Sequence, residues 1–154
     1  MNEDKKSFED VKEKALRLLE YRSHSEKELS DKLIRYGADE EDIERVIEFC
    51  REYNFLNDES YARALAHDLA ALKRLGKRRI YSELRVKGIS DETAREVLSE
   101  MEDDEDELLR LVEKKARGNF ERKNREKVMR YFIYRGYELG DIKNALERLM
   151  TDEF

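Results

Sequence analysis

The sequence has one cysteine, two histidines, and no proline, glutamine or tryptophan. A lone cysteine excludes an intramolecular disulfide framework and any multi-cysteine metal site. His24 and His67 have no cysteine or second histidine nearby in sequence, so no metal and no cofactor is expected. His24 stands in a Ser-His-Ser turn and is expected to be solvated. No apolar run approaches the ~18 residues of a membrane helix. The start, MNEDKKSFEDVKEK, has no signal-peptide apolar stretch. A soluble, cytoplasmic chain is expected. Leu75-Gly76-Lys77 is not a nucleotide-binding loop: Ala71 stands where its first glycine belongs and Arg78 where a magnesium-binding hydroxyl belongs. With no nucleophile beside a base, the chain reads as a protein without catalysis.

What is present is charge. Asp, Glu, Lys and Arg make up 45% of the chain, with a net charge of -6. Missing proline and glutamine beside abundant Glu, Lys and Arg resembles the usage of heat-adapted proteins. The net value hides blocks. Lys73 to Lys87 holds seven basic residues against Glu83, and Arg110 to Arg135 holds ten against three acidic ones. Between them, Asp91 to Glu107 carries ten acidic residues against Arg95. Such blocks are either solvated helix faces or a polarised protein with a basic working surface.

The chain also repeats. Leu29–Cys50, Ile80–Met101 and Val128–Leu149 fall into register at offsets of 51 and 48 residues. Leu29, Ile80 and Val128 align, then Leu33, Leu84 and Phe132, then Gly37, Gly88 and Gly136. An apolar quartet at helical spacing follows in each copy: Ile43, Val46, Ile47, Cys50; Ala94, Val97, Leu98, Met101; Ile142, Ala145, Leu146, Leu149. Each copy predicts three helices. First helices are expected over 8–21, 58–72 and 105–117, and middle helices from near Ser25, Lys77 and Arg122. Asp39, Asn57 and Ser90 are expected helix caps, and Ser25 with Glu28 reads as a capping box. Glu138 is a poor cap, which moves the expected start of the last helix to near Gly140. The three aligned glycines are expected to end helices in the left-handed conformation. Cys50, Met101 and Leu149 are expected to share one buried position. The fold class is therefore all-α, with three tandem three-helix repeats at 1–55, 56–102 and 103–154 in an elongated array.

Repeats of this kind present surfaces to macromolecules, and the basic residues give candidates. With Ile80 and Leu84 facing inward, Arg78, Ser82 and Arg85 point outward, beside Lys73, Arg74, Lys77 and Arg79. The third repeat adds Arg122, Lys123, Arg125, Lys127 and Arg130. Guanidinium and ammonium groups at this spacing suit phosphates or a partner's carboxylates. Ile133 and Tyr134 fall near the same outer side, either packed on their own first helix or offered to a partner.

The segments ALRLLEYRSHSEKELSDKL, FLNDESYARAL, GKRRIYSELRVKGIS and MRYFIYRGYELGDIKNAL, in this order, resemble the bacterial RecX proteins from about Ala15 to Leu149. The resemblance implies a curved array of three-helix repeats. It also implies a monomeric regulator that lodges on RecA filaments on single-stranded DNA and mostly inhibits them. Arg78 and Arg79 match the family's basic pair; the other candidates rest on charge and helical geometry. One departure is Lys77, where the family usually has proline after the glycine. A helix-turn-helix DNA reader acting alone, or a plain helical scaffold, remains the alternative.

Overall fold

The computed structural model describes residues 6–151. Nine α-helices and no strand occur among them: α1 Phe8–Tyr21, α2 Glu26–Tyr36, α3 Glu40–Glu52, α4 Asp58–Ala71, α5 Lys77–Val86, α6 Asp91–Glu100, α7 Glu105–Ala116, α8 Arg122–Tyr134 and α9 Leu139–Thr151. The expected caps explain most starts. Ser25 and Glu28 form the reciprocal capping box at α2, and a second box, Ser7 with Asp10, opens α1. Asn57 Oδ1 accepts the Ser60 N–H at 3.1 Å, and Ser90 Oγ the Thr93 N–H at 3.1 Å. Asp39 occupies the cap position of α3 without a capping hydrogen bond. The last helix starts one residue earlier than expected: Glu138 precedes it, and its carbonyl accepts the Ile142 N–H at 3.1 Å. Gly37, Gly88 and Gly136 have φ of 101°, 84° and 102°, the left-handed region that ends a helix cheaply only with glycine.

The aligned apolar columns are buried. Leu29, Ile80 and Val128 are at most 1% exposed, and Leu33, Leu84 and Phe132 at most 3%. The last column is uneven. Cys50 is fully buried, because the chain turns back over it: the Phe55 and Leu56 N–H groups both donate to its carbonyl. Met101 lies just past the end of α6 and Leu149 near the end of α9, and both are half-buried. Burial pushes the Cys50 thiol pKa up, as for a core residue.

Contacts gather the chain into two compact units, Met1–Leu65 with Leu84–Val97, and Ala66–Glu83 with Leu98–Phe154. In the first unit, α1, α2 and α3 pack on one another around Val11, Ala15, Leu33 and Val46. In the second, α7, α8 and α9 do the same around Leu108, Val112, Phe132 and Ile142.

Each unit also contains the same kind of joint, between the start of a middle helix and the glycine turn of the next repeat. In the first, Ser25 Oγ donates to the Lys87 carbonyl at 2.6 Å, and Gly88 lies against the Lys27 side chain. In the second, Gly76 occupies the place of Ser25. Its N–H donates to the Arg135 carbonyl at 2.8 Å, and the Arg78 N–H donates to the Gly136 carbonyl at 3.1 Å. A Cβ on Gly76 would lie 2.5 Å from the Gly136 carbonyl carbon, and one on Gly136 would lie 2.4 Å from the Arg79 backbone nitrogen. Glycine is required at 76 for space, since its φ is not positive.

The first joint surrounds a charged cluster that composition did not suggest. His24 is only 2% exposed, contrary to the expected solvated turn. Its Nδ1 donates to the Arg22 carbonyl at 2.9 Å, and its Nε2 accepts from Lys32 Nζ at 2.7 Å. The ring is thus neutral; burial first, then the Arg22 and Lys32 charges, depress its pKa below the ordinary 6.5. Burial would raise the Glu28 pKa, but hydrogen bonds from Arg22, the Ser25 backbone and Tyr61 outweigh it and hold the carboxyl at about 2.

Two measurements check these points. Gly76→Ala should lower stability by about 1–3 kcal/mol through backbone overlap. Gly140→Ala, in a helix with open space, should raise it by about 0.5–1 kcal/mol. Urea unfolding of both variants reads this directly. For His24 the unfolded chain binds its proton more readily than the folded one. Its contribution is therefore fully present above pH 6.5 and is lost as pH falls through the lower folded value. Unfolding between about pH 7 and pH 5.5 should show this loss in the parent, and a flatter profile in His24→Gln.

Candidate basic interface

The second unit carries ten of the eleven candidate cations, and they fall into two kinds. One kind is engaged in holding the unit together. Arg74, with φ of 57°, pairs with Glu107 at 2.7 Å, and its carbonyl accepts from Tyr137 Oη at 2.8 Å. Lys77 Nζ donates to the Met101 carbonyl at 2.9 Å and meets Asp103 at 3.1 Å. Where proline would only have fixed the backbone, this lysine ties the start of α5 to the acidic segment. Arg79 pairs with Glu83 at 3.1 Å and reaches the Tyr134 carbonyl at 3.4 Å, with its guanidinium 5.1 Å from the Tyr134 ring centre. Its hydrogen bonds to Glu83 and Tyr134 raise its already high pKa. Arg125 is half-buried, and its Nε has no hydrogen-bond partner.

The other kind faces solvent. Arg78 meets exposed Glu138 only at 3.8 Å, and Arg122 pairs with Glu126 at 3.2 Å in its own helix. Exposed ion pairs of this kind contribute little and exchange readily. Lys73, Lys123, Lys127 and Arg130 are exposed and make no ion pair among the described residues. Arg85 belongs to the first unit, where its guanidinium donates to the Ile89 carbonyl at 3.0 Å. Tyr134 is 72% exposed and packs on Arg79, not on its own first helix, and Ile133 is 43% exposed.

Between α7 and α8 the second unit has a cleft of about 650 Å³. Besides Arg74 and Lys127, its lining includes Lys114, Lys115, Arg117 and Arg135, with no carboxylate. Those last four were not among the candidates, although the basic run from Arg110 to Arg135 contained them. Only the pairing of two helices puts the end of α7 opposite α8. Lys115 Nζ lies 4.0 Å from the Tyr131 ring centre, and Arg135 Cζ lies 5.8 Å from it. Among the described residues no group of His, Cys, Asp and Glu could hold a metal ion, and no helix is long and apolar enough to cross a membrane.

Tandem three-helix domains that carry cations on their outer faces define a helical-repeat regulatory protein. Three family models match this chain: the first three-helix domain of RecX over residues 12–50, the second over 57–98 and the third over 102–146. The regulatory protein RecX of Clostridium perfringens (strain 13 / Type A) is 35% identical, over 96% of this chain and 72% of that protein. The regulatory protein RecX of Vibrio parahaemolyticus is 38% identical over 88% of each. The chain belongs to the RecX family. Two solved structures share the fold. The crystal structure of RecX from Lactobacillus salivarius has a TM-score of 0.85 at 23% identity, covering 98% of this chain and 99% of that one. A crystal structure of regulatory protein RecX has a TM-score of 0.74 at 22% identity, covering 88% and 71%.

The two kinds of cation should separate in stability measurements. Arg79→Ala removes two hydrogen bonds and a ring contact and should cost about 1 kcal/mol. Arg130→Ala should change stability by no more than ~0.5 kcal/mol. Equal melting of the two variants would remove the distinction.

Proposed function

We propose that this chain is a non-catalytic cytoplasmic regulator, acting as a monomer, that binds RecA filaments on single-stranded DNA and restrains the recombinase. Family membership supports a regulatory role. The observation that carries the docking reading is the set of exposed, weakly paired cations on the second unit: Lys73, Arg78, Arg122, Lys123, Lys127 and Arg130. Arg74, Lys77, Arg79 and Arg125 position that set, and Arg85 extends it from the first unit. The mechanism needs no chemistry. A filament is a row of repeated acidic and phosphate-bearing surfaces, and a chain with cations at helical spacing can occupy it and hinder subunit exchange or ATP turnover. Charge contacts of this kind speed encounter and weaken with salt.

The test is RecA's DNA-dependent ATPase with and without the chain. The rate should fall as the chain is added, and less so at higher salt. Lys123→Glu with Arg130→Glu should raise the concentration needed for half-effect roughly tenfold with melting unchanged. An ATPase rate indifferent to the chain, or tight sequence-specific binding to bare duplex, would overturn the reading.

A further inference from the structure

We propose that the cleft between α7 and α8 is a binding site for nucleotide phosphate groups. Six cations line it, and two are already engaged: Arg74 by Glu107, and Arg135 by the Lys73 carbonyl. Lys114, Lys115, Arg117 and Lys127 have no ion-pair partner among the described residues. Four uncompensated charges around a concave, partly apolar wall repel one another and focus a positive field into the cleft. A bound polyanion relieves that repulsion. A single carboxylate leaves most of it in place.

The other walls narrow the ligand further. Leu111, Val128 and Phe132 give an apolar floor. A volume of about 650 Å³ is in the range of small-molecule sites and suits one nucleotide. Tyr131 is not a free stacking platform, since Lys115 already lies over its ring. The ring holds the ammonium group in place, so recognition rests on phosphate and not on base identity. Arg117 is held in the left-handed region with φ of 53°, a conformation arginine adopts at a cost, and this keeps a cation at the mouth where α7 ends. Asn124 secures the same turn by donating to the Ala116 and Asn119 carbonyls at 3.2 and 2.6 Å.

The phosphates have two possible sources. One is a free nucleoside polyphosphate. The other is the backbone of a single strand, for which Lys123, Lys127, Tyr131 and Arg135 fall every fourth residue along α8, about 6 Å apart in rise. The site shares Lys127 and Arg74 with the surface proposed above but is measured without RecA, so either reading can fail alone.

The experiment uses the full chain, Lys115→Ala with Lys127→Ala, and Lys115→Arg with Lys127→Arg. ATP binding is followed by calorimetry, and binding of a labelled oligothymidine by anisotropy, both at low salt. The parent should bind at least one of these probes. The alanine pair should lose roughly tenfold in affinity with unchanged melting, and the arginine pair should recover it. If the strand is the source, the alanine pair should also lower the salt slope by about 1.4, at ~0.7 per phosphate contact. Loss of ATP binding alone assigns a free nucleotide, and loss of oligothymidine binding alone assigns a strand. The proposal is overturned if the parent binds neither probe, or if the alanine pair binds as the parent does.

Discussion

Backbone lies on backbone where Gly76 meets Gly136, and the arrangement of the second unit depends on that contact. The Gly76 N–H donates to the Arg135 carbonyl, and the Gly136 carbonyl accepts the Arg78 N–H. No side chain fits at either glycine without displacing main-chain atoms. The contact holds Lys73–Arg79 beside the C-terminal end of α8. It brings Arg79 to Tyr134 and the Arg74 carbonyl to Tyr137. Without it, the basic segment before α5 and the basic helix α8 would be two unrelated charge runs. In the first unit, Ser25 and Gly88 make the corresponding joint with a hydroxyl in place of the glycine N–H.

The joint also sorts the cations. A positive charge whose carbons pack and whose nitrogens are engaged stiffens the surface that presents its neighbours. Arg74, Lys77 and Arg79 do this, each tied to a carbonyl or carboxylate of another segment or turn. Lys123, Lys127 and Arg130 contribute nothing comparable to folding and stay available to a partner. A chain with a net charge of -6 can thus offer a locally positive working surface, because its acidic residues concentrate elsewhere, in 91–107 above all.

Much of the fold was legible because three copies of one pattern reinforce each other. Columns such as Leu33, Leu84 and Phe132 repeat at helical spacing, and each is buried. Ser25, Asn57 and Ser90 announced helix starts through a chemistry confined to three or four residues. What was not legible depends on partners distant in sequence. His24 reads as a solvated turn residue until α2 brings Lys32 under its ring. Gly76 looked like loop filler, since only the approach of Gly136 shows why a side chain is excluded. The end columns failed for a simpler reason: Met101 and Leu149 sit where helices end, and cover there depends on what the chain does next. Of the candidate site, the basic blocks were visible in sequence. Which cations are engaged, and that Lys114, Lys115 and Arg117 border a cleft, required the helix pairing.

The central claim is that this chain meets its filament through the second unit's cations. A photoreactive residue placed singly at position 130, or at exposed Glu44 of the first unit, tests it on assembled RecA and single-stranded DNA. Covalent capture of RecA should be strong from position 130, fall with salt, and be weak from position 44. Capture that is equal from both positions, or stronger from position 44, would contradict the account.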